Sequence, residues 1–437
     1  MATGGTISAL TPFIKRTYSD SFVETLAWKK GPLGAMIPKD KADGQPTWAM
    51  RVGNSPARSA TYSVAATQSE AFATRGVQPT ITQLQSDYGR ATIAGNVLAI
   101  TGNKIGAFYG KFVAQIDGIM DAVTQSFSTK IYRRGFGCIG RLAAAGATQT
   151  TNPRQCDVTT TTLVLRQRED IVHFEVNQLL NFSLTEAANL LRTGVVDLGV
   201  AALNTNNGTM TMKGVINTVT GTIGGDYIFA KGDRQDSATP SRLCIAGMDD
   251  WLSVVAPTPG ESFFGMDRST DGRLQPVIVD CTATGAFAGI NEEAAIIIAA
   301  SEVRRFGGLV THIFLNDTRY QNLLLLAMGR YRPAVATGPA KISFKGIELN
   351  VGSGGSVEVY PDPFCPMNRI YGLQMDSWEV SVGKDGRIPG FLDWDGNTML
   401  RQATDDGIEC RVGYYAEVKN NAPIHNFVVT YGDAFGV

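Results

Sequence analysis

One stretch constrains the fold of this chain more than any other: Thr101–Gly135, TGNKIGAFYGKFVAQIDGIMDAVTQSFSTKIYRRG. Apolar residues recur at Ile105, Phe108, Phe112, Ile116, Ile119, Val123, Phe127 and Ile131. These steps of three and four put all of them on one helical stripe. Asn103 is placed to cap the start, Arg133 and Arg134 suit the negative end of the helix dipole, and Gly135 reads as the C′ stop. A helix from Lys104 to Arg134 would be roughly 45 Å long, beyond the globular norm, so a large surface must pack along it. Gly106, Gly110 and Gly118 cost helix propensity, which predicts close backbone packing or room to bend.

A chain of 437 residues has room for about two to four domains. With 43% hydrophobic and 18% charged residues it can bury a core without covalent staples. Cys138, Cys156, Cys244, Cys281, Cys365 and Cys410 show no CxxC and no close pairing, which fits reduced, buried thiols rather than a zinc or redox motif. The apolar runs Ala294–Ala300 and Leu323–Met328 are too short to span a bilayer, and MATGGTISALTPF lacks the pattern of a secretory leader. Synthesis in the cytosol, with no membrane partner, is the expectation. The net charge of −1 hides an asymmetry, because residues 1–141 carry sixteen Lys/Arg against eight Asp/Glu. Such a layout suits subunits meeting head to side or a face turned to a polyanion, and equally an ordinary solvated surface.

In chain order, residues 1–40 read as an arm. Tyr18, Phe22, Leu26 and Trp28 are spaced for a short amphipathic helix, which KKGPLGAMIPKDKADG then breaks. Thr47 to about Leu98 reads as a long hairpin with a poor core and a mobile polar tip, GNSPARSATYSVAATQSEAFATRG. Two strands alone are marginal in water, so a partner must hold them. After the long helix, small and polar residues mark a boundary near residue 150. Residues 155–240 follow as a β-rich insertion, with strands at Thr159–Arg166 and Ile171–Val176, a turn or two of helix at Thr185–Arg192, and a hairpin turning at Asn207-Gly208. Residues 241–437 mix helices and strands. Asn291–Phe306 carries every helix signal, from the Asn291 cap to Gly307-Gly308, a second helix starts at Asp317, and strands fill the remainder.

The sequence carries little that reads as catalytic chemistry. The chain has no GxxxxGK[ST], HExxH or GxSxG and no zinc-ligand spacing. His173, His312 and His425 are scattered and read as packed or surface residues. In the pairs Asp249-Asp250, Glu292-Glu293 and Asp405-Asp406, neighbouring side chains diverge, a poor geometry for an acid and base working together. The run DWDGN at 393–397 misplaces the glycine and glutamate of a calcium loop, and GSGGS at 352–356 lies between strands, as a hairpin turn does. No catalytic, cofactor-binding or metal-ligating residue is assigned.

The order of arm, long hairpin, spine helix and α+β domain resembles the major capsid proteins of tailed bacteriophages, which share the Johnson fold (the Hong Kong phage capsid fold). The runs YSDSFVETLAWKKGPLGAMIPKD at 18–40, FFGMDRSTDGRL at 263–274 and IECRVGYYAEVKNNAP at 408–423 carry the likeness. The resemblance implies an α+β fold with an N-terminal arm (1–40), an E-loop hairpin (41–98), part of a P-domain with the spine helix (99–154), an inserted β-rich domain (155–240), and an axial A-domain with strands returning to the P-domain (241–437). It implies a structural, non-enzymatic protein that self-assembles as hexamers and pentamers around double-stranded DNA. Its partners would be a portal and scaffold or decoration proteins, with the packaged DNA touched non-specifically. An encapsulin-like compartment is the alternative within this fold, and a multidomain enzyme the alternative outside it. Some family members lock the shell through a hairpin lysine, but no Lys occurs from 42 to 103 here, so ionic and apolar contacts are expected instead. The candidates for intersubunit contact are Trp28, Lys29 and Lys30 in the arm and Arg51, Arg58, Arg75 and Arg90 in the hairpin.

Overall fold

The computed structural model describes residues 31–42, 44–54, 57–71, 75–94, 105–143, 161–192, 198–214, 225–330, 348–351, 355–383, 388–392, 399–402 and 405–432. Trp28, Lys29, Lys30, Asn103, Cys156, the boundary near 150 and the DWDGN run lie outside these residues.

The spine helix runs from Ile105 to Lys130, four residues short of the expected end. Its last turn tightens, with Tyr132 N donating to Thr129 O at 3.2 Å and Arg133 N to Lys130 O at 3.1 Å. Tertiary contacts cause this. The Tyr132 hydroxyl donates to Asp362 at 2.7 Å, and Arg133 and Arg134 reach Asp170 and Asp250 rather than simply flanking the helix dipole. The left-handed residue is Gly137 (φ 79°), not Gly135. Gly135 is needed for another reason, since a Cβ there would sit 2.9 Å from Cys244 O.

The helix lies on a six-stranded sheet organised by the long strand Gly407–Asn420. One edge of that strand pairs antiparallel with Gln85–Ala94, from Gly407↔Ala94 to Ala416↔Gln85. The other edge takes Leu400–Arg401, Gly390–Phe391 and Trp378–Val382 in succession. Lys39–Lys41 joins parallel to Trp378–Val382. Val123, Phe127 and Ile131 of the predicted stripe are buried, and Phe127 meets Tyr414 edge-on at 5.3 Å. The close approach comes from the strand, because a Cβ on Gly89 would stand 2.3 Å from Ile119 Cγ2. Gly118 faces open space, so close packing does not explain that glycine.

Part of the arm docks on this core. Pro32–Met36 forms a short helix where the sequence suggests only breakage, Leu33 and Ile37 are buried, and Gly31 N donates to Ser128 Oγ at 3.2 Å. The hairpin is shorter than expected. Among the described residues it pairs at Met50–Arg51 with Gly76–Val77, plus a Thr47↔Thr80 bridge, while Gln85–Ala94 is taken by the long strand. Between the paired ends lies a helix, Tyr62–Ala71, where the sequence shows only a polar tip. Its Ala and Gln content favours helix, while the lack of an apolar face removes the periodicity that would reveal it.

A second six-stranded sheet has the order Cys138–Arg141, Tyr227–Ala230, Leu179–Ser183, Leu198–Asn204, Thr209–Met212, Thr162–Val164. It begins before residue 155, since Cys138–Arg141 is its edge. Leu163, Leu180, Phe182, Val200, Met210 and Ile228 give it a core of its own. The expected strand at Ile171–Val176 is instead a 3₁₀ helix, Arg168–His173, which turns Ile171 and Phe174 inward together. Thr185–Arg192 is not helical among the described residues. Asn189 has φ 65°, and the Arg234 guanidinium holds the loop through the carbonyls of Glu186, Ala188 and Asn189. The Asn207-Gly208 turn is present, with Gly208 at φ 63°.

The third sheet runs Val277–Asp280, Phe427–Thr430, Arg369–Leu373, His312–Leu315, Ser356–Pro361, Glu348–Asn350. Helix Glu292–Arg305 packs on it through Ala295, Ile296, Ala299, Ala300 and Val303, with Asn291 Oδ1 accepting from Ala294 N at 2.9 Å as its cap. A second helix runs Asp317–Arg330. Gly355 (φ 84°) lies between the edge strand Glu348–Asn350 and its antiparallel partner Ser356–Pro361, where the sequence reads a hairpin turn.

Candidate intersubunit surface

The base of the hairpin is seated in an aromatic socket. Trp48 packs on Trp251 with ring centroids 6.3 Å apart, and its Nε1 donates to Asn420 O at 3.3 Å. Trp251 in turn meets Phe263 at 4.9 Å and Phe264 at 5.4 Å. Phe264 (φ 51°) and Gly265 (φ 80°) form the two left-handed corners of a tight hairpin, Ser262–Phe263 with Met266–Asp267. That turn presents Phe264 O to Thr80 N at 3.0 Å. The FFGMDRSTDGRL run is therefore the socket's wall.

The sequence candidates separate by their partners. Arg75 donates to Thr270 O at 3.2 Å and lies 3.5 Å from Asp271, a carboxylate that Arg273 also holds at 3.1 Å. Arg90 lies 3.4 Å from Glu409, which Arg411 shares from the paired strand. Both are therefore anchored within the chain. Arg51 is exposed and donates to Asn54 Oδ1 at 2.5 Å, and Arg58 is exposed. The helix that follows them shows Tyr62 at 87% exposure and Val64 at 47%. Among the described residues, Arg51, Arg58 and the start of this helix are exposed parts of the hairpin.

Behind the surface is a buried junction that sequence reading does not identify. The Lys130 ammonium, 4% exposed, sits 2.9 Å from Asp87 and 3.1 Å from Asp233. Asp87 also accepts from Ser126 Oγ at 2.6 Å. Burial alone would depress the ammonium, but Asp233, with Asp87 adding to it, holds its pKa well above the usual value. One lysine thus ties the spine helix to the strand Gln85–Ala94 and to the turn that follows Tyr227–Ala230 of the second sheet. Its signal in the sequence is a charge three residues after Phe127 on the apolar stripe. Nearby, the buried Asp250 carboxylate accepts from Arg134 Nε at 3.2 Å, Arg242 Nε at 3.3 Å and Gly135 N at 2.7 Å. Burial would raise its pKa, but Arg242 and Arg134 keep it below the usual carboxylate range. Its neighbour Asp249 turns instead to the Tyr371 hydroxyl at 2.6 Å, so the adjacent acids diverge as expected.

Two of the histidines, His173 and His312, are packed against aromatic rings. His173 stacks on Phe364 at 5.9 Å, and burial lowers its pKa to about 3, which keeps it neutral. His312 stacks on Tyr360 at 5.6 Å. The five described cysteines are all buried and unpaired with one another. Among the described residues, no helix is long and apolar enough to cross a membrane.

No family model and no curated protein matches the sequence. Solved structures do match. A chain from the capsid asymmetric unit of cyanophage A-1(L) aligns at a TM-score of 0.52 and 11% identity, covering 96% of this chain and 97% of that one. A capsid chain of a native GTA particle (TM-score 0.42, 10% identity, 99% and 100% covered) and a chain from Mycobacterium phage Ogopogo (0.39, 9%, 97% and 99%) also match, but at scores too low to carry weight. Across nearly its whole length, the chain has the α+β fold of a phage capsid subunit, the fold that the resemblance implies.

Proposed function

We propose that the chain is the shell-forming subunit of a tailed-phage capsid, repeating as hexamers and pentamers in an icosahedral shell around double-stranded DNA. The observation that carries this reading is the fold shared with the cyanophage capsid subunit over 96% of the chain. The form of the hairpin supports it. It is anchored at its base and presents Tyr62, Val64 and Arg58 outward. An element with so little core of its own gains from lying on a neighbour. In a shell, many such weak overlaps add to a stable whole. The role is structural, with no catalysis. Its setting is the virion after synthesis in the host cytoplasm, with portal and scaffold or decoration proteins as partners and only non-specific contact with DNA.

Negative-stain microscopy and light scattering of the purified chain test this. Shells or capsomers are expected, and a strictly monomeric protein under all assembly conditions would overturn the reading. Removing Gly53–Gly76 should leave a folded subunit that forms no shells, while unchanged assembly would refute the part given to the hairpin.

A further inference from the structure

The two ends of the segment 31–41 are held in different ways. Downstream, Lys39–Lys41 pairs in parallel with Trp378–Val382 of the first sheet, and Val380 N donates to Pro38 O at 2.8 Å. Upstream, the chain enters Pro32–Met36 against one side chain, Asp362, in the turn that follows Ser356–Pro361 of the third sheet. Asp362 is 0% exposed. Its Oδ2 accepts from Leu33 N at 3.4 Å and from the Tyr132 hydroxyl at 2.7 Å, and its Oδ1 accepts from Phe364 N at 3.0 Å. Gly31 passes so near that a Cβ there would stand 2.8 Å from both carboxylate oxygens.

Asp362 differs from other buried aspartates of the chain. Asp170, Asp226 and Asp250 each face a guanidinium, those of Arg133 at 2.8 Å, Arg192 at 2.7 Å and Arg134 at 3.2 Å. Among the described residues, the titratable groups facing Asp362 are Tyr132 at the end of the spine helix, Asp317 at the start of helix Asp317–Arg330, and Cys365 in its own turn. None of them is a cation. Arg133 and Arg319 act on Cys365 beside it, and His173, stacked on Phe364, stays neutral. A buried carboxylate held by neutral donors alone is costly once ionised. Burial raises its pKa, Asp317 adds to the rise, and the three donors offset only part of it. The closed state therefore has the higher pKa, so closure is strongest where the group is protonated and weakens as the pH rises through that raised value. Moving Pro32–Met36 aside admits water to the carboxylate, against the burial of Leu33 and Ile37. The pairing at Lys39–Lys41 uses no atom of Asp362 and survives that movement.

We propose that residues 31–38 are a strap, closed on the spine helix while Asp362 is uncharged and opening about the Lys39–Lys41 pairing when it ionises, so that one carboxyl group sets the direction in which the chain before Gly31 leaves the subunit. The device lies within one subunit and does not depend on shell formation.

Hydrogen–deuterium exchange of the unassembled full-length subunit at about pH 4 and about pH 7, corrected for the intrinsic exchange rate, tests the strap. Relative to that rate, the amides of residues 33–37 should exchange severalfold faster at the higher pH, while those of Gly407–Asn420 stay protected at both. Asp362→Asn, uncharged throughout, should remove the difference between the two pH values. Gly31→Ala sets a methyl group against the carboxylate and should free residues 33–37 at both pH values, with the long strand still protected. If Asp362→Asn fails to fold, Gly31→Ala decides. Equal protection of residues 33–37 at the two pH values in the parent, an unchanged pH dependence in Asp362→Asn, or an undisturbed segment in Gly31→Ala would overturn the proposal.

Discussion

The hairpin and the junction behind it are built on opposite principles. At the junction, Lys130 is 4% exposed, and its ammonium is held by two carboxylates from two other parts of the chain. In the hairpin, two short strands pair at only a few positions, and the helix between them leaves Tyr62 87% exposed. Buried charges are tolerated only when fully paired, so the junction must be completed within the subunit. An exposed aromatic on a poorly cored extension has no such requirement, and it is available to another molecule. The chain thus keeps its paired charges inside and leaves the poorly cored extension exposed.

The largest effect is expected where the junction is broken. Lys130→Ala leaves Asp87 and Asp233 close together without their shared cation and should destabilise the subunit by about 3–5 kcal/mol. Urea unfolding of the unassembled protein measures this. A loss under about 1 kcal/mol would mean that the junction relaxes or hydrates as easily as a surface pair, and the contrast with the hairpin would collapse.

A second, smaller effect concerns Glu417 on the long strand. It is 1% exposed, and its Oε1 accepts from Ala246 N at 2.8 Å and Val418 N at 3.1 Å. Burial pushes its pKa from 4.5 up to about 8. The folded pKa is the higher one, so stability is complete below pH 4.5 and declines as the pH rises towards 8, where the unfolded chain has released a proton that the native state retains. Glu417→Gln keeps an uncharged acceptor for both N–H groups. It should match the parent at about pH 4 and exceed it by about 1–3 kcal/mol at about pH 8. Unfolding curves at the two pH values check the sign, and a difference independent of pH would mean that burial does not raise the Glu417 pKa.

What the sequence reveals divides along a similar line. The Glu292–Arg305 helix is legible to the residue because cap, charges and stop signal are all local. The far end of the spine helix is not, because Tyr132, Arg133 and Arg134 are drawn to Asp362, Asp170 and Asp250, residues distant in sequence. IVHFEV has the alternation of a strand, yet Asp170 is committed to Arg133 and the second sheet needs Ile171 and Phe174 on one side, which a 3₁₀ turn supplies. Of the proposed contact residues, composition marks the arginines but not their partners. Asp271 and Glu409, which hold Arg75 and Arg90 within the chain, become neighbours only once the socket and the long strand are folded.

The smallest effect on stability is expected at the hairpin. Tyr62 begins the exposed helix and buries almost nothing within the subunit, so Tyr62→Ser should change the unfolding free energy of the isolated chain by no more than about 0.5 kcal/mol. If the hairpin lies on a neighbour, the same substitution removes a large aromatic contact from each copy of a repeated interface, and multiplication over the shell makes that loss visible in assembly. Light scattering should then show a higher critical concentration for shell formation, with unfolding unchanged. A variant that unfolds more easily would place Tyr62 with the interior residues, whereas one that assembles like the parent would leave Arg51 and Arg58 as the hairpin's outward contacts.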